Sequence, residues 1–345
     1  INNKNGRKKI QITLTFIVQG TVIRILYFKF LVVLVLSVVI FAAACGNSSS
    51  LDNNKKSSDS GSDSGSSSGD YKPKELTVQF VPSQNADKLE AKAKPLEKLL
   101  SDKLGIPVKV SVSTNYNTIV EAMKSKKVDV GFLPPTAYTL AHDQKAADLL
   151  LQAQRYGVNK DGSSNKKLVD DYKSEILVKK NSGIKSLKDL KGKKIALQDV
   201  TSTAGYTFPL ATLKKETGIN ATKDMKIVNV KGHDQAVISL LNGDVDAAAV
   251  FQDARTIVKK DQPNVFKDTK ILKLTESIPN DTISVRPDMD KKFQEKLKKA
   301  FKDIAKSKKG HKIISEVYSH EGYTDTRDSN FDIVRKYEKD VQDMK

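Results

Sequence analysis

The sequence predicts an α/β fold built as two similar lobes, on three observations. From residue 75 onward, short apolar runs with strand character alternate with apolar residues at helical spacing, the pattern of successive βα units and a mostly parallel sheet. The phrase KKVDVGFLPPTAY at 126–138 is echoed by NGDVDAAAVFQDAR at 242–255, each an apolar strand that runs into a turn. A single cysteine in 345 residues excludes an internal disulfide framework, a thiolate zinc site and a CxxC redox pair.

Taken in order, 76–81 reads as a strand. Leu89, Ala93, Leu96, Leu99, Leu100 and Leu104 follow at helical spacing, with Pro95 as a first turn or a kink and Gly105 as a stop. Val108, Val110 and Val112 alternate as a second strand, Ile119, Val120 and Met123 mark a short helix, and 128–133 is a third strand that stops at Pro134-Pro135. Ligands of open α/β sheets bind beyond the carboxyl ends of the strands, so the turns at 81–85, 113–116 and 134–138 are expected on one rim. In the second unit 194–199 is a strand, 226–230 another, 233–241 a helix and 244–251 a strand. Phe293, Leu297, Phe301 and Ile304 predict a helix packed back on the first lobe.

Between the lobes stands SLKDLKGKKIALQDVTSTAGY at 186–206, where Thr201, Ser202 and Thr203 open a helix. Unpaired N–H groups and the positive dipole end of a helix start favour an anion, and three hydroxyls add donors. An ordinary cap without a ligand is the plainer reading of these residues alone.

The N-terminal segment reads as export and tethering. Lys4, Arg7, Lys8, Lys9, Arg24 and Lys29 are its basic residues, no acid occurs before residue 45, and 30–44 is an uncharged stretch that suits a signal h-region better than a membrane span. The run closes on Ala42, Ala43, Ala44 and Cys45, which looks like a bacterial lipobox with Ala42 where leucine is commoner. A plain secretory signal, or an uncleaved anchor, with an incidental cysteine is the alternative. Residues 1–44 are therefore expected to be a signal peptide with upstream extension, since no methionine precedes Met123. Residues 45–74 are expected to be a lipidated cysteine and a flexible Ser/Gly/Asn linker. The net charge of +18 includes the six basic residues of the leader. The remaining 53 basic and 41 acidic residues interleave as a solvated surface, which argues against nucleic acid as a partner.

VDVGFLPPTAY, SLKDLKGKKIAL, TSTAGY, GHDQAVISLLNGDVDAAAVFQDAR and IPNDTISVRPDM stand in that order between residues 128 and 289. With them the chain resembles the phosphate/phosphite/phosphonate ABC-transporter substrate-binding protein family over about 75–337. The resemblance implies a two-lobed type II periplasmic-binding-protein fold with a cleft between lobes joined by two hinge strands. Lobe 1 would be 75–178 plus 276–345 and lobe 2 would be 179–275, with hinge strands near 176–179 and 271–275. It implies a phosphorus oxyanion clasped between the lobes, a permease as membrane partner, a monomer, and neither cofactor nor metal. Carried over by motif, the ligand residues would be Thr201, Ser202, Thr203, Tyr138, Tyr116, His233 and Asp253. The family's anion turn often reads Ser-Thr-Ser-Gly. Ala204 leaves one hydroxyl fewer here, with Thr201 as the compensating candidate.

Several of these residues have plainer readings. Tyr116 and Tyr138 would serve equally as packing, His233 as a solvated cap, Asp253 as a helix cap and Asp281 as a turn residue. His142, His311 and His320 lack a partner at metal-ligand spacing and read as surface histidines. If Asp253 faces the ligand, it would prefer an oxyanion that retains a proton over sulfate, with Asp281 as the alternative acceptor. An enzyme would need a nucleophile and base, yet no GxSxG, P-loop, HExxH or catalytic cysteine occurs. A sulfonate or other small-anion binding protein is the nearer alternative.

Overall fold

A computed structural model describes residues 69–159 and 163–344. The expected signal peptide, Cys45 and most of the expected linker lie outside the described residues. Two sheets organise the rest. The first has the order β12-β4-β11-β3-β1-β2, with β5 paired to β4. Its strands are β1 (Leu76–Phe80), β2 (Val108–Val112), β3 (Val130–Leu133), β4 (Asp148–Val158), β5 (Ser164–Val169), β11 (Thr282–Val285) and β12 (Gly322–Thr324). The second has the order β10-β6-β9-β7-β8, from β6 (Asp171–Lys179), β7 (Lys194–Leu197), β8 (Lys226–Asn229), β9 (Ala247–Phe251) and β10 (Thr269–Pro279).

In each sheet one strand lies between two parallel neighbours: β1 between β2 and β3, and β7 between β8 and β9. These are the βα units legible from periodicity. The remaining pairings, from β11 to β3 and from β6 to β9 outward, are antiparallel. A mostly parallel sheet is therefore the wrong description. The chain visits the second sheet and returns, so the strands that carry it across enter against the direction of the βα strands.

Those crossings are displaced from the expected hinge. Residues 176–179 and 271–275 lie inside β6 and β10, where Leu177 pairs with Ile271 in the second sheet. The chain leaves the first sheet at Asp170 and re-enters it at Asn280, and the Asn280 N–H donates to the Asp170 carbonyl at 2.8 Å. Polar side chains at that passage close turns, the Asn280 amide donating to Val169 O and the Gln152 amide to Asp170 O. The apolar run Ile176, Leu177 and Val178 instead fills the second sheet.

The core explains the helices. Pro95 ends one helix (Ala86–Ala93) and starts another (Leu96–Leu104), because it cannot supply the N–H that a continuous helix needs. Both bury leucines against the first sheet, where Phe80 stacks on Phe132 at 4.1 Å. The helix Lys291–Lys306 buries Leu297, Phe301 and Ile304, and Phe301 meets the Phe132 ring edge-on at 5.7 Å. The final helix (Asp332–Gln342) sends Tyr337 to stack on Phe208, the first residue of the helix Phe208–Thr217, at 4.2 Å. No helix among the described residues is long and apolar enough to cross a membrane.

Candidate functional site

Both sheets end their βα strands at one cavity of about 30 Å³. Such a volume holds only one or two water-sized groups, so the site as it stands suits a compact ligand head. The first sheet contributes Ser83 and Gln84 after β1, Tyr116 after β2, Pro134 after β3, Arg155 on β4 and Asp281 before β11. From the second come Tyr172 on β6, Ser202 and Thr203 after β7, His233 after β8 and Phe251 at the end of β9. The expectation that strand ends share a rim is met in both lobes.

The helix start is wound more widely than an α-helix. The Thr207 N–H donates to the Ser202 carbonyl five residues back, making Thr203–Thr207 a π-helical turn that continues into Phe208–Thr217. Such turns recur at functional sites, because they widen the spacing of the first N–H groups. Ser202 caps the turn, its Oγ accepting from the Gly205 N–H at 3.2 Å, so its own proton stays available. The Thr203 hydroxyl oxygen accepts from the Thr136 N–H at 2.8 Å, which ties this turn to the turn after β3.

Tyr116 opens the helix Tyr116–Lys124 behind Asn115, whose side chain accepts from the Thr118 N–H. Its hydroxyl is buried in the cavity wall beside the Ser202 hydroxyl and makes no hydrogen bond of regular geometry among the described residues. Burial holds the phenol well above its ordinary range, so it stays a neutral donor. His233 begins the helix His233–Asn242, and its Nδ1 accepts from the Phe251 N–H at 3.3 Å. That leaves the proton on Nε2. Burial, reinforced by the Arg155 charge, pushes this imidazole down to about 3, so it is neutral near pH 7.

Three expected residues are placed elsewhere. Thr201 spends both its N–H and its hydroxyl on Asp199 Oδ1, closing a turn outside the cavity, so it does not replace the hydroxyl missing at Ala204. Tyr138 lies inside the helix Pro135–Asp143, which turns its side chain away from the cavity; its hydroxyl donates to Asp328 Oδ1 at 2.7 Å and its ring packs on Phe331. Pro134 and Thr136 are what that turn offers the cleft. Asp253 has a left-handed backbone (φ 76°) and lines an adjoining cavity of about 180 Å³. Phe251, the last residue of β9, lines the cleft cavity, and the left-handed turn after it carries Asp253 into the adjoining one. His320 is not a surface residue: it is 1% exposed and points Nε2 at Asp281.

The model of the ABC-transporter phosphonate periplasmic substrate-binding protein family matches residues 78–331. The chain belongs to that family. Among curated relatives, this binding protein is 24% identical over 248 residues to the phosphonates-binding periplasmic protein of Escherichia coli, covering 71% of this chain and 70% of that one. It is 31% identical over 186 residues to the phosphate-import protein PhnD of Mycolicibacterium smegmatis, a match that spans 52% of this chain and only 56% of the relative. Two solved structures share its fold. A phosphonate-transporter binding protein from Pseudomonas aeruginosa has a TM-score of 0.69 at 20% identity, covering 78% of this chain and 87% of that one. PhnD1 from Prochlorococcus marinus, solved with methylphosphonate, has 0.67 at 20% identity, covering 79% and 99%.

Sequence reasoning missed Arg155, Tyr172, Phe251 and Tyr318 at this binding protein's cavity. Arg155 sits at the outer end of β4, where LLLQAQRYGV shows a cation on a strand that otherwise alternates, and that was the one available signal. Tyr172 and Tyr318 carry none, because they reach the cavity through the crossing strand β6 and through the end of the helix Lys308–Tyr318.

Proposed function

We propose that the protein is an extracytoplasmic, lipid-anchored receptor of an ABC importer that captures a phosphorus oxyanion in this cavity and delivers it to a membrane permease without chemical turnover. The observation that carries this reading is the supply of unspent donors. Arg155 Nε is buried with no partner among the described residues, beside the neighbouring Tyr116 and Ser202 hydroxyls and the start of a 15-residue helical run from Thr203 to Thr217. Buried donors left unmade are costly, and an oxyanion that accepts from several of them at once recovers that cost. Phosphonate, phosphite and phosphate all present such oxygens.

Turnover is not favoured by the same geometry. Ser202 Oγ faces Gly205 N–H and His233 Nδ1 faces Phe251 N–H, and no hydrogen bond joins the two side chains as a nucleophile and base would require. The moving parts on this reading are the lobes 69–170 plus 280–344 and 171–279, closing about the paired passages at Asp170 and Asn280. Thermal shift of the full chain tests the ligand class. A ligand that binds only the folded state stabilises it by about 2.7 kcal/mol at 100 times its Kd. Methylphosphonate, phosphite or phosphate should raise Tm and sulfate should not; a rise with sulfate or a sulfonate alone would reject the reading.

Cys45, outside the described residues, is proposed as the mature N-terminal residue and lipid attachment site, on the AAAC sequence and the polar leash behind it. Intact-mass measurement of membrane-extracted protein should give a chain beginning at Cys45 with added acyl mass. A mature chain that starts elsewhere without lipid would refute the anchor.

A further inference from the structure

A helical carbonyl that loses its intrahelical donor must find another, and the turn that opens the anion site contains two such groups. The Thr207 N–H donates to the Ser202 carbonyl and the Phe208 N–H to the Thr203 carbonyl, each five residues back. At that spacing the Ala204 carbonyl would await the N–H of residue 209, and residue 209 is proline. Proline has no N–H, and in an α-helix its ring crowds the carbonyl four residues back, here that of Gly205. Pro209 thus withdraws the donor that Ala204 would have at the wide winding and the one that Gly205 would have in an α-helix.

Two residues of the second sheet supply donors in their place. Ser174 on β6 is fully buried, and its hydroxyl donates to the Ala204 carbonyl at 2.6 Å, nearer than its other acceptor, the Val250 carbonyl at 3.2 Å. The Gln198 N–H, just past β7, donates to the Gly205 carbonyl at 3.2 Å. Glycine permits that approach, since a Cβ at Gly205 would stand 1.4 Å from Gln198 Oε1. The backbone of Ser174 is itself held: its N–H donates to Thr275 Oγ1 at 3.0 Å, and the residue pairs with Phe251 of β9.

We propose that Ser174 is a positioning residue for the oxyanion site, which touches no ligand but holds the Ser202–Thr207 turn in its wide register. The register is a competition for one carbonyl. In an α-helical start the Phe208 N–H would claim the Ala204 carbonyl and the Tyr206 N–H that of Ser202. With Ala204 taken by Ser174, Phe208 pairs with Thr203, Thr207 pairs with Ser202, and the Tyr206 N–H is released from the Ser202 carbonyl. Ser202, Thr203 and Ala204 line the cavity, so the register sets where the leading amides and the Ser202 hydroxyl stand about a bound oxyanion. The inference rests on the oxyanion-receptor reading and deepens it by naming what fixes the donors.

Ser174→Ala in the full chain tests the proposal through two measurements. Amide hydrogen exchange of the unliganded protein reads the register. Without the hydroxyl, the Ala204 carbonyl should recruit Phe208 and the turn should tighten. The Tyr206 N–H, then bonded to Ser202, should exchange at least about tenfold more slowly than in wild type. Calorimetry reads the site. A ligand that needs the wide turn must now bind with the Ala204 carbonyl unsatisfied, so methylphosphonate affinity should fall about 5- to 50-fold. Ser174→Cys, which keeps the shape but only a weak donor, should fall between wild type and Ser174→Ala in both measurements. Either measurement left at its wild-type value in Ser174→Ala overturns the positioning role, and a lowered Tm alone would show that Ser174 only fills the core. If Ser174→Ala does not fold, Ser174→Cys decides by the same two measurements. A wild type that binds none of methylphosphonate, phosphite and phosphate removes the receptor reading and this inference with it. Wild-type binding that persists unchanged in Ser174→Ala removes the positioning role alone.

Discussion

Replacing Ser202 and Thr203 together by alanine should cost oxyanion binding about 2 to 5 kcal/mol, since hydrogen bonds to charged groups contribute about 1.5 to 3 kcal/mol each. Two effects add at this turn. Ser202 loses the hydroxyl whose proton is free to reach a ligand, and Thr203 loses the oxygen that accepts from Thr136 N–H at 2.8 Å, a bond between the two lobes. The double variant should therefore bind weakly and also close poorly. Its fold should persist, because the lost Ser202 cap costs about 0.5 to 2 kcal/mol of stability. Calorimetry with methylphosphonate, alongside circular dichroism of the unliganded protein, separates the two losses. Unchanged affinity in a folded variant would move the site away from this helix.

Gly232→Val should impair closure rather than folding. Gly232 has an ordinary extended backbone (φ −121°, ψ 163°), so it is not required there by conformation. Close approach requires it instead: a Cβ at this position would stand 3.0 Å from Gln84 Cα and 3.2 Å from the Gln84 carbonyl carbon on the facing lobe. It would also stand 2.4 Å from Asp234 Oδ1, in the side chain whose Oδ2 accepts from the Asn85 N–H. The next residue, His233, donates its N–H to Ser83 O at 2.9 Å, so both lobes meet at this point. Overpacking of this kind costs about 1 to 3 kcal/mol, and an opened cleft escapes it. The expected result is a roughly 10- to 100-fold weaker affinity, dominated by faster release, with an unliganded Tm close to wild type. Small-angle scattering should show the ligand failing to compact the variant. Wild-type affinity and wild-type compaction would mean that the lobes do not approach here when the ligand is held.

The sequence by itself determined the βα units and the chemistry at their ends. Period-two valines at 108–112, the apolar strand before Pro134-Pro135 and the hydroxyl run at 201–203 are local signals, and the strands, the rim and the Ser202 cap follow from them. Tyr116 and His233 were carried to the cleft by the family resemblance, and in the structure each starts a helix shortly after a strand end. Tertiary structure decided the rest. Tyr138 lies three residues into its helix, and helical rotation carried it to the far side, onto Phe331 and Asp328. Asp253 lies past the end of β9 in a left-handed turn that carries it off the strand's direction, so Phe251, the last strand residue, lines the cavity. Arg155, Tyr172 and Asp281 converge only because β11 pairs with β4 in the first sheet and the chain crosses between the sheets at Asp170 and Asn280, which brings the start of β6 to the same cleft. That juxtaposition has no local signature, since the pairing of Arg155 with Asp281 spans 126 positions of sequence and is made by long-range antiparallel ladders whose partners are chosen by the packed core.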